Sequence, residues 1–328
     1  MNKTANDSEE AMKLLETYGG EADDFFKIWP KDKIFFFSSD NKAFIAYAVK
    51  LKMAVCLGDP VGHAGSIQLL LNEFRAFTAK QHLVICFIQA TDKYKEHYSA
   101  VGLKNMLIGA DAVVDLRQFV DSTIHDKYFR NLVNRYNKQG FSFDSYAPPH
   151  NKKLISELQL VSDSWKSLPH RKEWSFLTGR FNSDYLRHVS LYVLRDKTGA
   201  VQAFSNGLPP FKPGVVTIDL MRHRADAPPN SMDLLFINLI NSKHLEGYSY
   251  FNLGMSPLDA RRFNQAPLER MLMGVYKIGN SFIGFRGLHQ FKAKYRPTWA
   301  PRYIFYQPGP GHLIRGGLAV FKLLEYQD

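Results

Sequence analysis

Cysteine is nearly absent from this sequence, and long apolar runs are missing. Only Cys56 and Cys86 occur among 328 residues, which excludes a disulfide scaffold and fits a reducing compartment. No apolar stretch approaches the roughly 18–20 residues that a membrane-spanning helix needs, and the N-terminus lacks the apolar core of a signal peptide. These absences argue against secreted, collagenous, disordered and transmembrane classes.

Familiar catalytic motifs are also missing. The sequence has no GxxxxGK[ST] loop and no GxGxxG turn after a strand, so we expect neither kind of phosphate cradle. No pyrophosphate loop of the acetyl-CoA-dependent enzymes occurs at a suitable strand-to-helix junction, which weighs against acetyl-CoA. The eleven histidines form neither HExxH nor a Cys/His cluster. We therefore predict no metal site.

Basic residues are in excess, and they are unevenly spread. Lys and Arg number 42 against 31 Asp and Glu, a formal net charge of +11. Residues 1–45 hold six basic and nine acidic side chains, whereas residues 261–328 hold eleven basic and three acidic ones. This asymmetry favours one positively charged face and an anionic partner, either nucleic acid or an acidic membrane. Scattered, solvated Lys and Arg would be the plainer explanation.

The hydrophobic pattern indicates an α/β fold with two similar halves. Each half presents a strand meander, a helix, a strand and then more helix. We predict two tandem lobes, residues 1–150 and residues 151–328, joined near the polar stretch Pro148–Lys153. The pattern further predicts a strand pair over Met106–Leu116, a helix over Asp121–Gln139, and a helix over Met232–Leu245 capped by Ser231.

Polar residues interrupt apolar segments in the second half, and these are the candidate site residues. Asp219 lies in an apolar strand, where an unpaired carboxylate is costly, so we expect Arg222 or Lys294 as its partner. Asp233 begins an otherwise apolar helix. A structural ion pair and a helix-dipole effect are the plainer explanations for these two acids.

Together these segments resemble the C-terminal catalytic domain of the phosphatidylglycerol lysyltransferases, also called multiple peptide resistance factors. The resemblance runs from Leu14 to Tyr306 and includes Gly58-Asp-Pro-Val-Gly62, Asp219-Leu-Met-Arg222 and Phe251-Asn-Leu-Gly-Met-Ser-Pro-Leu258. It implies two tandem acetyltransferase-like (GNAT) lobes, each a mixed sheet flanked by helices, with most of the site in the second lobe. Full-length members usually carry a multi-helix membrane portion ahead of this domain, so we expect an excised domain or a short relative.

The resemblance also implies an activity. It points to transfer of an amino acid, lysine above all, from aminoacyl-tRNA to the glycerol hydroxyl of phosphatidylglycerol. This reaction alters membrane charge and resistance to cationic peptides, at the cytoplasmic face of the bacterial membrane. An aminoacyl ester is already activated, so we expect no cofactor. The alternatives are transfer to a peptidoglycan precursor, and a tRNA- or lipid-binding module without catalysis.

The implied chemistry assigns roles to the candidates. Asp219 or Asp233 would orient the acceptor hydroxyl or the aminoacyl ammonium, and Arg222 with Lys292 or Lys294 would hold phosphate or developing charge. The further substrate-binding candidates are Ser231, Asn252, Gly254, Met255, Ser256 and Arg302. The segment Met273–Phe285 lacks an acidic residue that the family pattern leads us to expect.

Two surfaces are candidates for contact with the substrates. Basic residues at intervals of 3, 5 and 3 form one broad helix face that we predict to bind tRNA phosphates, namely Lys127, Arg130, Arg135 and Lys138. The C-terminal segment Pro308–Glu325 mixes glycines with apolar residues, and it is either an interfacial membrane helix or a helix docked on the second lobe.

Overall fold

The computed structural model describes residues 5–21, 23–169, 171–257 and 285–325. The predicted segment Leu268–Ile278 and most of Met273–Phe285 lie outside these residues. In the first half the elements are α1 (Ala5–Tyr18), β1 (Ile34–Phe37), β2 (Ala43–Lys50), β3 (Met53–Leu57), β4 (Val61–Gly62), α2 (Ile67–Lys80), β5 (Val84–Ala90), α3 (Lys95–Ala100), β6 (Lys104–Asp115), α4 (Leu116–Asp121), α5 (Lys127–Lys138) and β7 (Ser142–Tyr146).

The second half follows a similar order, in which a strand meander is followed by a helix, a strand, a helix and a further strand. It comprises α6 (Lys152–Lys166), α7 (Ser183–Leu186), β8 (Leu191–Arg195), β9 (Val201–Gly207), β10 (Val215–His223), α8 (Ser231–Leu245), β11 (Tyr250–Pro257), α9 (Phe285–Ala293), β12 (Thr298–Tyr306) and α10 (His312–Leu324). None of the helices in the described ranges is long and apolar enough to cross a bilayer.

One mixed sheet runs through both halves. Its strand order is β1-β2-β3-β5-β12-β6-β11-β10-β9-β8-β7, with β4 paired to β2. In each half a helix connects two parallel strands, α2 between β3 and β5 and α8 between β10 and β11. The next neighbour on the sheet then comes from the other half, since β5 pairs with β12 and β11 pairs with β6. The sheet centre is therefore built by both halves.

Helices cover both faces of the sheet, and apolar clusters fill the space between. Phe74 of α2 packs with Tyr47 and Phe87 on one face of the first half. α10 packs against β3 and β5 on the opposite face, where Leu313 and Val320 are buried. The mixed sheet with flanking helices confirms the predicted α/β fold class of acetyltransferase-like lobes. The division at residue 150 stays a prediction.

Three local predictions are corrected. The strand pair expected over Met106–Leu116 is one continuous strand that ends at Asp115, because β6 pairs with β12 on one side and β11 on the other. The helix expected over Asp121–Gln139 begins later, at Lys127 in α5, because Asp121 ends α4 and a short 3₁₀ turn separates the two helices. Ser231 is the first residue of α8 and donates its hydroxyl to Pro228 O at 2.6 Å, so it is not the cap.

Candidate active site

Asp219 lies at an irregularity of β10. The pairing of β10 with β9 shifts register between Ile218 and Met221, and such a bulge re-aims the side chains beside it. The Asp219 carboxylate accepts hydrogen bonds from the backbone N–H of Gly179 and the hydroxyl of Tyr185, both at 2.9 Å. Burial raises the pKa of Asp219 to about 6. This carboxylate therefore titrates close to neutral pH, as a general base should.

The ion pair expected for Asp219 is wrong. Both guanidinium nitrogens of Arg222 donate to the Glu173 carboxylate, at 2.7 and 2.6 Å. The Arg222 guanidinium also lies over the Trp165 ring, 4.7 Å from its centroid. Lys294 binds a different acid, Asp233. Arg222 acts on Asp219 only through its charge, which lowers the pKa against the larger effect of burial.

Lys292 lies against a second bulge, in β11. The pairing of β11 with β6 shifts between Asn252 and Met255, and Gly254 has a φ of +77° there, a conformation that favours glycine. The Lys292 ammonium donates to the carbonyl oxygens of Gly254 and Met255, both at 2.9 Å. Burial lowers the pKa of Lys292 to about 8. An ammonium has three donors, so the two carbonyls leave one for the space beside it.

The two titrating groups line one cavity of about 310 Å³ between the halves of the chain. We call it the central cavity. Of the predicted residues, Asp219 and Lys292 line it together with Gly254, Met255 and Arg302. A carboxylate and an ammonium that both titrate near neutral pH in one cavity are the arrangement that proton transfer and oxyanion stabilisation require.

Arg302 holds the wall of this cavity together. Its Nη2 donates to Asp111 Oδ2 at 2.7 Å and to Glu21 Oε2 at 2.9 Å. Asp111 also accepts from the Asn252 side-chain amide at 3.0 Å, and Asn252 Oδ1 accepts from the backbone N–H of Gly254 at 2.7 Å. A continuous hydrogen-bonded chain therefore connects Arg302 to the bulge that holds Lys292.

Asp233 lies in a second cavity, of about 610 Å³, which we call the outer cavity. Its carboxylate accepts hydrogen bonds from Lys294 Nζ and from the hydroxyls of Tyr295 and Tyr128, at 2.6 to 2.7 Å. Ser231 and Lys294 line the same cavity. Since three donors already bind the Asp233 carboxylate, Asp219 is the acid with more capacity for a substrate.

Another cavity, of about 490 Å³, adjoins the central cavity, and we call it the third cavity. It shares Asp111, Thr217 and Arg302 with the central cavity, and Asn252 also lines it. The outer cavity shares Met221 and Leu288 with the central cavity. The central cavity thus adjoins two larger cavities, the outer cavity and the third cavity, and it shares different lining residues with each.

Two predicted residues lie outside these cavities. Arg222 is buried against Glu173, and Ser256 is 2% exposed with its hydroxyl 3.5 Å from the His289 ring. Neither lines the central, outer or third cavity. Their assignment to the site stays a prediction that the observed packing does not favour.

The basic side chains of α5 are exposed, and the helix is tied to the outer cavity. Lys127, Arg130, Arg135 and Lys138 all face solvent. Arg135 donates to Pro229 O at 3.1 Å, and the Tyr136 hydroxyl donates to the same oxygen at 2.7 Å. Pro229 lines the outer cavity. A ligand bound along α5 would therefore lie beside that cavity.

Sequence reasoning missed several residues that shape the site, namely Asp23, Asp111, Tyr128, Glu173, Tyr185 and Tyr295. Asp111 lies in the middle of a mostly apolar segment of β6, the same signal that singled out Asp219. Tyr185 lies in the short helix α7 and Glu173 in the irregular segment before it, where the sequence has no periodic pattern. Their positions depend on contacts between distant parts of the chain, so spacing alone did not reveal them.

The repeated halves, and a candidate site in the cavity where they meet, define a protein of the two-lobed acetyltransferase-like class. The sequence model of the family described as phosphatidylglycerol lysyltransferase, C-terminal, matches residues 12–306. The chain belongs to this family, which confirms the resemblance seen in the sequence.

Individual relatives support the same conclusion. Phosphatidylglycerol lysyltransferase from Staphylococcus aureus (strain MRSA252) is 31% identical over 307 residues, which cover 93% of this chain and 36% of the relative. The chain thus spans just over a third of the length of the curated relatives it matches. The structure of L-PGS from Bacillus licheniformis has a TM-score of 0.87 and 33% identity, covering 99% of this chain and 98% of that one. FemX, with a TM-score of 0.58 and 9% identity over 98% and 99% of the two chains, shows a likeness of fold alone.

Proposed function

We propose that this chain transfers a lysyl group from lysyl-tRNA to the glycerol hydroxyl of phosphatidylglycerol. Membership in the family and the names of its relatives support this reaction and this lipid. The observation that carries the proposal is the central cavity, where Asp219 and Lys292 meet with pKa values displaced towards neutral pH. The family name alone does not identify Asp219 or Lys292 as a reacting group.

The reaction is an ester exchange. The acceptor hydroxyl oxygen attacks the aminoacyl carbonyl carbon, a tetrahedral oxyanion forms, and the bond to the tRNA ribose oxygen breaks. Asp219 takes the proton of the attacking hydroxyl and returns a proton to the leaving ribose oxygen. The free N–H of Lys292 stabilises the oxyanion. The donor ester is already activated, so the balance needs no ATP.

The neighbouring cavities suggest separate approaches for the two substrates. The outer cavity lies beside the basic helix α5, so the acceptor end of tRNA enters there. The third cavity is lined by apolar and basic groups, among them Phe211, Tyr250 and Lys212, which suit the chains and the phosphate of a phospholipid. Three acids, Glu21, Asp92 and Asp111, line the same cavity. The two substrates then meet in the central cavity.

This division of substrates places the chain at a membrane surface. The lipid acceptor lies in an anionic bilayer, and aminoacyl-tRNA is a cytoplasmic molecule, so the site faces the cytoplasmic leaflet. A formal charge of +11 favours both anionic partners. This net charge does not explain why one particular tRNA or lipid is bound. That specificity has to come from the residues that line the cavities.

A transfer assay with labelled lysyl-tRNA and phosphatidylglycerol vesicles tests the proposal. Label in the lipid fraction supports it, whereas label in a water-soluble acceptor or binding without transfer contradicts it. Lys292→Met should reduce transfer at least 100-fold because the oxyanion loses its donor. Lys197→Met, in the exposed turn after β8, removes the same charge far from the cavity and should leave the rate unchanged.

A further inference from the structure

One buried carboxylate of the central cavity lacks a hydrogen-bond donor. Asp23 is 9% exposed, and neither of its oxygens accepts a hydrogen bond from any described residue. Its ion pair with Arg302 Nη1 is 3.9 Å long, beyond hydrogen-bond length. Asp23 lines the central cavity. A buried carboxylate without such a donor is costly, so its retention points to a ligand.

The cations around Asp23 are already engaged by other acids. Arg302 donates to Asp111 and Glu21, and Lys27 Nζ pairs with Asp24 at 2.5 Å. Lys27 and Arg302 are both at least 95% buried, and the carboxylates grouped around these two cations outnumber them. These carboxylates are Glu21, Asp23, Asp24, Asp59 and Asp111. Two of these five carboxylates, Asp23 and Asp111, line the central cavity, so carboxylates outnumber cations on its first-half side in a protein that is strongly positive overall.

Building on the proposed function, we propose that Asp23 binds the side-chain ammonium of the lysyl group and thereby selects a cationic amino acid. An ammonium supplies the donors that the Asp23 oxygens lack, as well as a charge that offsets the surplus of carboxylates. A neutral aminoacyl group would leave Asp23 buried and unpaired. Sites built to bind a polar group reject analogues without it by large factors.

The position of Asp23 suits the side chain rather than the reacting end of the aminoacyl group. Asp23 is linked to Lys292 through the chain Arg302, Asp111, Asn252 and Gly254, so the two lie at opposite ends of this network. The α-ammonium is one carbon away from the ester carbonyl and stays close to Lys292 when the carbonyl reacts there. The side-chain ammonium is several bonds further from the carbonyl and can reach the other end of this network, where Asp23 lies.

Burial also raises the pKa of Asp23, against the opposing effects of Arg302 and Lys27. A ligand ammonium would favour the ionised form, which is the form that pairs with it.

The test uses one tRNA body charged with either lysine or norleucine, which has the same chain length without the terminal ammonium. The wild-type protein should transfer lysine at least 100-fold faster than norleucine in kcat/KM. Asp23→Asn should reduce lysyl transfer about 100-fold and leave norleucyl transfer unchanged, so that the preference collapses. Asp184→Asn, which removes a carboxylate 80% exposed on the surface, should change neither rate.

A binding experiment separates this inference from the proposed function. Lysine methyl ester should raise the melting temperature of the wild-type protein, norleucine methyl ester should not, and Asp23→Asn should remove the difference. If the esters discriminate but no lipid is labelled, the proposed function fails and the subsite remains. If the wild type does not discriminate, or if Asp23→Asn lowers both transfer rates equally together with the melting temperature, Asp23 is structural and the inference fails.

Discussion

At the scale of single residues, the candidate site depends on Asp219 and Lys292. Burial disfavours the charged form of both side chains. Asp219 keeps a proton up to about pH 6, and Lys292 loses one near pH 8. Each is held by hydrogen bonds beside a strand bulge, so its position is fixed before substrate arrives. The interval between the two pKa values is the range in which Asp219 is ionised and Lys292 is protonated.

The first prediction is a bell-shaped pH dependence of the transfer rate. The rate should rise as pH increases through about 6, because Asp219 must be ionised to accept a proton, and fall above about 8, because Lys292 must carry its proton. Asp219→Asn should lower kcat by 10² to 10⁴ and abolish the acidic limb. Stopped assays at saturating lipid from pH 5 to 9, beside Asp184→Asn as control, measure both effects.

If Asp219→Asn still showed the acidic limb, Asp219 would not be the group that accepts the proton. The melting curve of this variant has to be recorded as well, since Gly179 and Tyr185 both donate to the Asp219 carboxylate. Loss of activity with an unchanged midpoint is the expected combination.

Many of the site residues could be predicted from the sequence, but the side chains with which they pair could not. An acid inside an apolar strand is visible in the sequence, and Asp219, Asp233, Lys292 and Lys294 were found in that way or through the family resemblance. The sequence does not reveal that Lys294 binds Asp233, because the two are 61 positions apart. Pairing of buried charges is decided by three-dimensional proximity, which spacing along a strand does not encode.

At the scale of elements, helix α5 carries exposed basic residues and also contacts the candidate site. Its basic residues are exposed, yet Tyr128 donates to Asp233 at 2.7 Å and Arg135 donates to Pro229. The helix therefore presents basic groups to solvent and contacts the wall of the outer cavity at Asp233 and Pro229. The periodicity predicted the helix face, and only the structure shows which cavity it borders.

The second prediction concerns tRNA binding by this helix. Arg130→Glu combined with Arg135→Glu should weaken tRNA binding at least tenfold and reduce the slope of log K against log salt by about 1 to 2, since each lost phosphate contact lowers it by about 0.9. Lys152→Glu with Lys153→Glu changes net charge equally on the exposed start of α6 and is the matched control. Equal losses in both double variants would show that only overall charge matters.

The C-terminal helix α10 belongs to the core and not to an exposed membrane anchor. Leu313, Ala319 and Val320 are at least 92% buried, whereas Leu318 is 43% exposed. The helix packs on β2, β3 and β5 of the first half, and it also contacts β12, Trp174 and Ser175 of the second half, so it docks on both. The docked C-terminal helix was predicted, but its contact with the first half was not, because α10 is over 200 residues distant from β3 in the chain.

The third prediction follows from this packing. Val320→Ser should lower the free energy of unfolding by about 2 kcal/mol because it places a hydroxyl in an apolar contact. Leu318→Ser should cost less than half of that. Urea denaturation measures both, and co-sedimentation with phosphatidylglycerol vesicles should be equal for the two folded variants. Weaker vesicle binding by Leu318→Ser alone would instead restore α10 as a membrane contact.

At the scale of the whole molecule, the two halves are repeated in order but share one sheet. β12, from the end of the chain, pairs with β6 from Thr298↔Val113 to Tyr306↔Lys104 and with β5 on its other side. β7 precedes residue 150 but pairs with β8. The alternating elements in the sequence predicted the two-lobed fold class. They did not predict the pairing of strands between the two halves, because a local pattern contains no information about which distant strands will pair.

The fourth prediction is that neither half folds alone. Residues 1–150 without β12 would expose the edges of β5 and β6, and β7 would lose its partner, so unpaired backbone groups and the apolar face covered by α10 would meet water. We expect residues 1–150 and residues 151–328 each to lack a cooperative melting transition when expressed separately. Co-expression of the two should give a complex that melts cooperatively and transfers lysine. The matched control is a full chain cleaved in the exposed turn Lys197–Gly199, between the paired strands β8 and β9, which separates neither half from the other and should remain folded. A cooperative transition of residues 1–150 alone would show that the first half is an independent folding unit, and the central cavity would then form by docking of two finished lobes.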